Sequence, residues 1–123
     1  MKLHLSRATG THTFTAYGAG YVSVNGQRFE RSLIVLPDRI LADWAPESFD
    51  ALAPGHLDAL VEIAPEVVLL GTGTQLRFPR PEITRALVEA RIGLEVMDAQ
   101  AACRTFNILV AEGRKVAAAL LLA

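Results

Sequence analysis

The chain has 123 residues, 51% of them hydrophobic, with a mean hydropathy of +0.30; that suffices for one domain burying roughly two-thirds of its unfolded surface and leaves too little for a second core. Twelve basic against thirteen acidic residues give a formal charge of -1, which excludes the electrostatic footprint of a nucleic-acid or anionic-lipid binder. A single cysteine, Cys103, rules out an internal disulfide, no Cys/His cluster has metal-ligand spacing, and the longest apolar run, Val116 to Ala123, falls far short of the ~20 residues that span a bilayer.

These features predict one domain over residues 1–123, a reducing cytoplasmic setting, no membrane insertion, and neither metal nor cofactor. Residues 1–19 are rich in Thr, Gly and Ala, with weak alternation at Leu3, Leu5 and Phe14, and read as an irregular or edge-strand lead-in. Thr9, Gly10, Thr11, His12 and Thr13 stand where a secretory signal would need an unbroken apolar stretch. Tyr21-Val22-Ser23-Val24 is β-prone and ends at Asn25-Gly26, the pair best suited to the positive φ angles of a tight hairpin. Gln27 to Leu36 is expected to return as the partner strand, exposed at its start and buried at its end. Pro37-Asp38 breaks it, Arg39 to Trp44 reads as a further short strand, and 45–55, with Pro46, Pro54 and Gly55, reads as surface loop.

Leu57, Leu60, Val61 and Ala64 repeat at i, i+3, i+4 and i+7, the stripe of a core-facing helix, and Pro65 ends it. Val67-Val68-Leu69-Leu70 suits a strand covered on both faces, with a glycine loop, Gly71 to Gln75, at its carboxyl end. Pro81 fits a first helical turn, Ile83, Ala86, Leu87 and Ala90 form the next stripe, and Gly93 is expected to close that helix. With Leu94 to Met97 as a strand, residues 67–97 make a right-handed βαβ unit. Asp98 caps a last helix whose apolar face is Ala99, Ala102, Cys103, Phe106, Leu109 and Val110; Gly113 ends it and Lys115 to Leu122 is the final strand.

The candidate pocket is Gly71, Thr72, Gly73, Thr74 and Gln75, because ligands of open α/β sheets bind at the carboxyl edge and glycines let backbone amides point outward. Leu76 stands where a third glycine of GxGxxG belongs, so a ligand cradle and a purely structural turn both stay open. Arg104 and Asn107, at i and i+3, with Arg114 shortly after, could read a carboxylate or hold the loop's carbonyls. Arg77 and Arg80, stiffened by Pro79 and Pro81 and with Trp44 nearby, form a candidate rim for a partner protein. Cys103 lies on the apolar stripe, past the helix start that would lower its pKa, and His4, His12 and His56 are remote in sequence. No catalytic constellation emerges, and the reading leans away from an enzyme.

A set of short stretches carries a family likeness: Gly71-Thr72-Gly73 with Pro79, Gly93, Met97-Asp98, Ala101-Ala102-Cys103-Arg104-Thr105-Phe106-Asn107, and Glu112-Gly113-Arg114 with Val116 to Leu120. Over about residues 20–121 the chain resembles a family of small α/β proteins that includes a mitochondrial complex I assembly factor and an animal adipogenesis-associated Mth938-domain protein. The resemblance implies a three-layer α/β fold with a mixed central sheet and an added N-terminal β-hairpin element, and it implies no established enzyme activity. Ala99 replaces an expected threonine and Phe106 a common tyrosine, so neither position offers a hydroxyl here. Without an evident mitochondrial targeting extension, the likeness points to a bacterial-type member. Two functions follow as expectations: a protein-binding module, acting as assembly factor or scaffold for a respiratory complex, or a small-molecule or anion-binding protein using the Gly71–Gln75 loop.

Overall fold

The computed structural model describes residues 11–123. At its centre lies Val116–Leu121 (β8), apolar at every position because strands flank it on both sides and both of its faces are covered. Val67–Thr72 (β6) runs parallel to it on one side, and Leu33–Leu36 (β4) runs antiparallel on the other. Gly93–Met97 (β7) extends the sheet in parallel beyond β6, and Arg39–Leu41 (β5) closes the opposite edge antiparallel to β4. The resulting order is β5-β4-β8-β6-β7. A smaller, wholly antiparallel sheet contains Phe14–Gly18 (β1), Tyr21–Val24 (β2) and Gln27–Phe29 (β3).

Strand parity sorts the core into two halves. Val67, Leu69, Val116, Ala118 and Leu120 face the helix Ala99–Ala111 (α3) and, beside it, Phe14, Val22 and Val24 of the small sheet. Val68, Leu70, Ala117, Ala119 and Leu121 face Leu57, Leu60 of Asp58–Ile63 (α1), and Ile83 and Leu87 of Pro81–Glu89 (α2). This is the expected three-layer α/β fold with a mixed central sheet. The crossover helices α2 and α3 lie on opposite faces, as right-handed connections demand when one steps out from β6 to β7 and the next returns over β6 to β8.

Several local expectations hold in detail. Asn25 and Gly26 take φ of 49° and 87°, the mirror-image turn their types favour. Asp98 caps α3, its Oδ1 accepting from Ala101 N at 2.9 Å. The weak alternation at Leu3 and Leu5 lies outside the described residues.

Four expectations need correction. The return strand 27–36 is two strands: β3 stops where its register with Val22 ends at Phe29, and β4 leaves for the central sheet. The physical reason is burial, since Leu33–Leu36 is buried on both faces and only an interior position supplies that. The strand expected to reach Trp44 stops at Leu41. Gly71 belongs to β6 rather than to the loop; a Cβ there would stand 2.8 Å from Leu120 Cδ2 and 3.0 Å from Ala99 Cα, so its small size lets α3 close onto the sheet. Gly93 does not close α2 either. Arg91, at φ 60°, makes the left-handed turn, while Gly93 opens β7 with its N–H on Glu66 O.

Candidate functional site

The loop after β6 is organised by Thr72, which is 3% exposed. Its hydroxyl lies 2.6 Å from Gln75 O and 3.3 Å from Met97 O, and accepts from Arg77 N at 3.1 Å. One hydroxyl proton cannot serve both carbonyls, and the shorter contact to Gln75 takes it. Thr72 therefore staples residues 73–77 into one shape from beneath, with its hydroxyl spent on the loop itself. Gly73 sits at φ 87° and its carbonyl accepts from Ala99 N at 2.8 Å, joining the loop to the start of α3.

Beside that junction is a cleft of about 310 Å³ lined by Gly18, Gly20, Gly73, Thr74, Asp98, Gln100 and Arg104. Of the residues named from sequence, the structure thus brings Gly73, Thr74 and Arg104 together. The β1–β2 turn, Gly18 and Gly20, supplies a wall that local sequence could not connect to residue 73. Positive charge comes from Arg104, which is exposed and in no ion pair among the described residues. Opposing it, the Asp98 carboxylate and Gly73 carbonyl already occupy the first amides of α3, so an entering anion meets negative charge there.

Asn107 turns away from this cleft. Its Oδ1 accepts from Phe14 N at 2.8 Å and its Nδ2 donates to Phe14 O at 2.9 Å, which docks β1 onto α3. Arg114 lies at the other end of the sheet, its Nε 2.7 Å from Glu66 Oε1. That guanidinium holds the Glu66 carboxyl below its ordinary range, against the smaller opposing effect of desolvation, and Glu66 in turn raises Arg114.

The rim residues divide. Arg77 is held on both sides, with Nη2 2.9 Å from Asp50 Oδ1 and its guanidinium 4.2 Å above the Phe49 ring. Arg80 is exposed at the N-cap of α2, where its carbonyl accepts from Ile83 N. Between them Phe78 is 73% exposed, and Leu76 is 51% exposed. The rim therefore alternates exposed apolar residues with arginines in the order Leu76, Arg77, Phe78 and Arg80. The arginine-proline pattern drew attention to this stretch, but it could not report that both apolar side chains point outward.

Trp44 lines a separate cleft with Ser32 and Asp43. Its N–H donates to Ser32 O at 3.0 Å and its indole Nε1 to His56 O at 2.9 Å.

Cys103 is fully buried among Ala99, Ala102 and Phe106, and burial pushes its thiol up to about 12, with nearby Arg104 opposing and Asp98 adding to the rise. It is a packing residue, not a thiolate. No three His, Cys, Asp or Glu side chains among the described residues converge to hold a metal ion, and no described helix is long and apolar enough to cross a membrane.

This mixed sheet, its two helical layers and the appended antiparallel sheet define an α/β domain of the Mth938-like class. The chain belongs to the family described as protein of unknown function (DUF498/DUF598), whose model matches residues 14–121. A Bordetella parapertussis protein of known crystal structure is similar with a TM-score of 0.86 and 42% identity, over 94% of this chain and 99% of that one. A Mth938-like domain protein from Bordetella pertussis gives 0.81 and 35%, over 93% and 87% of the two chains. Bovine NADH dehydrogenase (ubiquinone) 1 alpha subcomplex assembly factor 3 is 34% identical over 104 residues, which are 83% of this chain and 55% of the bovine protein. The chain thus spans about half the length of that relative.

Proposed function

We propose that this chain is a protein-binding module acting as an assembly factor or scaffold, and that the ridge from Leu76 to Arg80 is its contact surface. One observation carries the proposal: Leu76 and Phe78 are exposed on a backbone that Thr72 staples from below and Arg77 ties to Asp50 and Phe49. An aromatic held ready in this way loses little entropy when it docks, and aromatic and arginine side chains dominate interface energies. Kinship with an NADH dehydrogenase assembly factor supports the role, and the finer reading makes the partner a component of a respiratory NADH dehydrogenase, met at the cytoplasmic side.

The test is a strain lacking this chain, assayed for assembled NADH dehydrogenase and for NADH oxidation by its membranes. Both should fall, return with the wild-type chain, and stay low with Leu76→Ser plus Phe78→Ser. Normal enzyme levels in the deletion strain sink the respiratory reading; full rescue by the double variant sinks the ridge.

A second reading, a small acidic metabolite in the cleft beside Gly73, draws support from the exposed Arg104 alone. Thermal stabilisation by a metabolite panel, abolished by Arg104→Ala, would favour it. The Asp98 carboxylate at the same place makes it the weaker of the two.

A further inference from the structure

The Asn25-Gly26 pair that turns β2 into β3 is also a chemical weak point, because asparagine is among the labile residues. Of the two asparagines in the sequence, Asn107 is followed by the branched Ile108. Asn25 is followed by Gly26, whose missing side chain leaves its backbone nitrogen unhindered for attack on the neighbouring amide. In that reaction the Gly26 nitrogen loses its proton and bonds to Asn25 Cγ, the Cγ–Nδ2 bond breaks, and ammonia carries the proton away. Water then opens the five-membered succinimide, its hydroxyl going to one carbonyl carbon and its hydrogen to the ring nitrogen. An aspartate or an isoaspartate is left at position 25.

Packing does nothing to prevent this. Both residues are exposed, and a Cβ at Gly26 would meet no described atom within 4 Å. The reacting groups are held instead by the segment that leads into β1. Asn25 Oδ1 accepts from Thr13 N at 2.9 Å, and Asn25 Nδ2 donates to Thr11 O at 3.3 Å. Gly26 N, the attacking atom, donates to Thr15 Oγ1 at 3.0 Å, and that hydroxyl donates in turn to Ser23 O at 3.4 Å. Thr15 reaches the turn because it is the extra residue of a bulge. Phe14 pairs with Val24 and Ala16 with Ser23, and Thr15 has no partner in register between them. A bulge re-aims the side chain it carries, here onto the Gly26 amide.

We infer that Asn25 is a deamidation site that this bulge holds closed, with Thr15 as its guard. The electrophilic carbon and the nucleophilic nitrogen are tied to different residues, and neither reaches the other until those hydrogen bonds break. Opening of the segment from Thr11 to Thr15 therefore sets the rate. The aspartate product adds one negative charge and has no Nδ2 to give to Thr11 O, so the clamp re-forms with one bond fewer. Modification, once made, keeps the segment loosened. The inference stands apart from the protein-binding reading and uses no residue of the Leu76–Arg80 ridge.

The test follows ammonia loss by intact mass and peptide mapping at mildly alkaline pH, on the folded chain and on the same chain in urea. Modification at Asn25 should be about tenfold or more slower in the folded chain, since several hydrogen bonds must break together. Thr15→Val keeps the branched shape and removes the hydroxyl, and should speed the folded chain about fivefold, the worth of one hydrogen bond. Thr15→Ser should stay near the wild-type rate. Two-dimensional amide spectra report whether each variant is folded. In the wild-type chain the exposed Gly26 amide should exchange its hydrogen slowly, which keeps the test decisive should Thr15→Val unfold. Equal rates with and without urea, an unchanged rate in a folded Thr15→Val, free exchange at Gly26, or modification that maps first to Asn107 overturns the inference.

Discussion

Asn107 grips the backbone of Phe14 from both sides, accepting from its N–H at 2.8 Å and donating to its carbonyl at 2.9 Å across 93 residues of sequence. One side-chain amide therefore does for β1 what a neighbouring strand would do, and the Phe14 ring packs edge-on against Phe106 at 5.2 Å beneath it. Asn107→Ala should destabilise the chain by about 2 kcal/mol, because a partly buried donor and acceptor both lose their partner. Asn107→Asp should also destabilise it, since a carboxylate keeps the acceptor but faces the Phe14 carbonyl without a donor. Urea unfolding gives the energies, and hydrogen exchange at Phe14 locates them; unchanged exchange would show that the small sheet is held by packing alone.

Gly71→Ala should cost about 1–3 kcal/mol through overpacking, since the new methyl would stand 2.8 Å from Leu120 Cδ2, 3.0 Å from Ala99 Cα and 3.2 Å from Ala102 Cβ. Its backbone is extended, so the cost is steric rather than torsional. Leu120→Val should recover part of it in the double variant, but not all, because Ala99 Cα belongs to the α3 backbone. A Gly71→Ala chain with an unchanged thermal midpoint would contradict the packing argument.

Thr72→Val conserves shape and removes the staple. Arg77 N and Gln75 O lose their shared hydroxyl, for about 1–3 kcal/mol of stability. Amide exchange at Arg77 should speed up by more than at β8. If the ridge is the contact surface, Thr72→Val should weaken partner capture without touching a contact residue; Thr72→Ser, which keeps the hydroxyl, should largely restore it.

The Cys103 thiol is pushed from its ordinary 9.0 up to about 12 by burial. A group whose pKa is raised by folding holds its proton more tightly in the native state. Its contribution to stability is therefore complete below pH 9.0 and is lost progressively as the pH rises toward about 12. Cys103→Ala should flatten that alkaline decline in a series of urea midpoints. At pH 8 an alkylating reagent should modify Cys103 only as fast as the chain opens globally, and faster labelling would place the thiol outside the core.

Local pattern carried much of this fold. The apolar stripe from Ala99 to Val110, the Asp98 cap, the Asn25-Gly26 turn and the burial of Cys103 are each written in residues a few positions apart, where helical period, turn propensity and capping act. Even the change from exposed to buried along 27–36 was legible, although its cause, a move between two sheets, was not. Period tells that a side chain is covered and is silent about what covers it. Gly71 looked like a loop glycine because its close approach to Leu120 and Ala99 depends on where α3 crosses the sheet.

The sequence by itself thus determined most of the elements and which of their faces turn inward, because those follow from contacts within a turn or a strand, while the three-layer class came from the family resemblance. Only the tertiary structure decided that Asn107 belongs to Phe14 and not to the loop, that Arg114 pairs with Glu66 far from Arg104, and that Ser32 and Trp44 meet in one cleft. Each of those is a pairing of polar groups distant along the chain. Their partners are chosen by how the layers stack, and no local propensity encodes that choice.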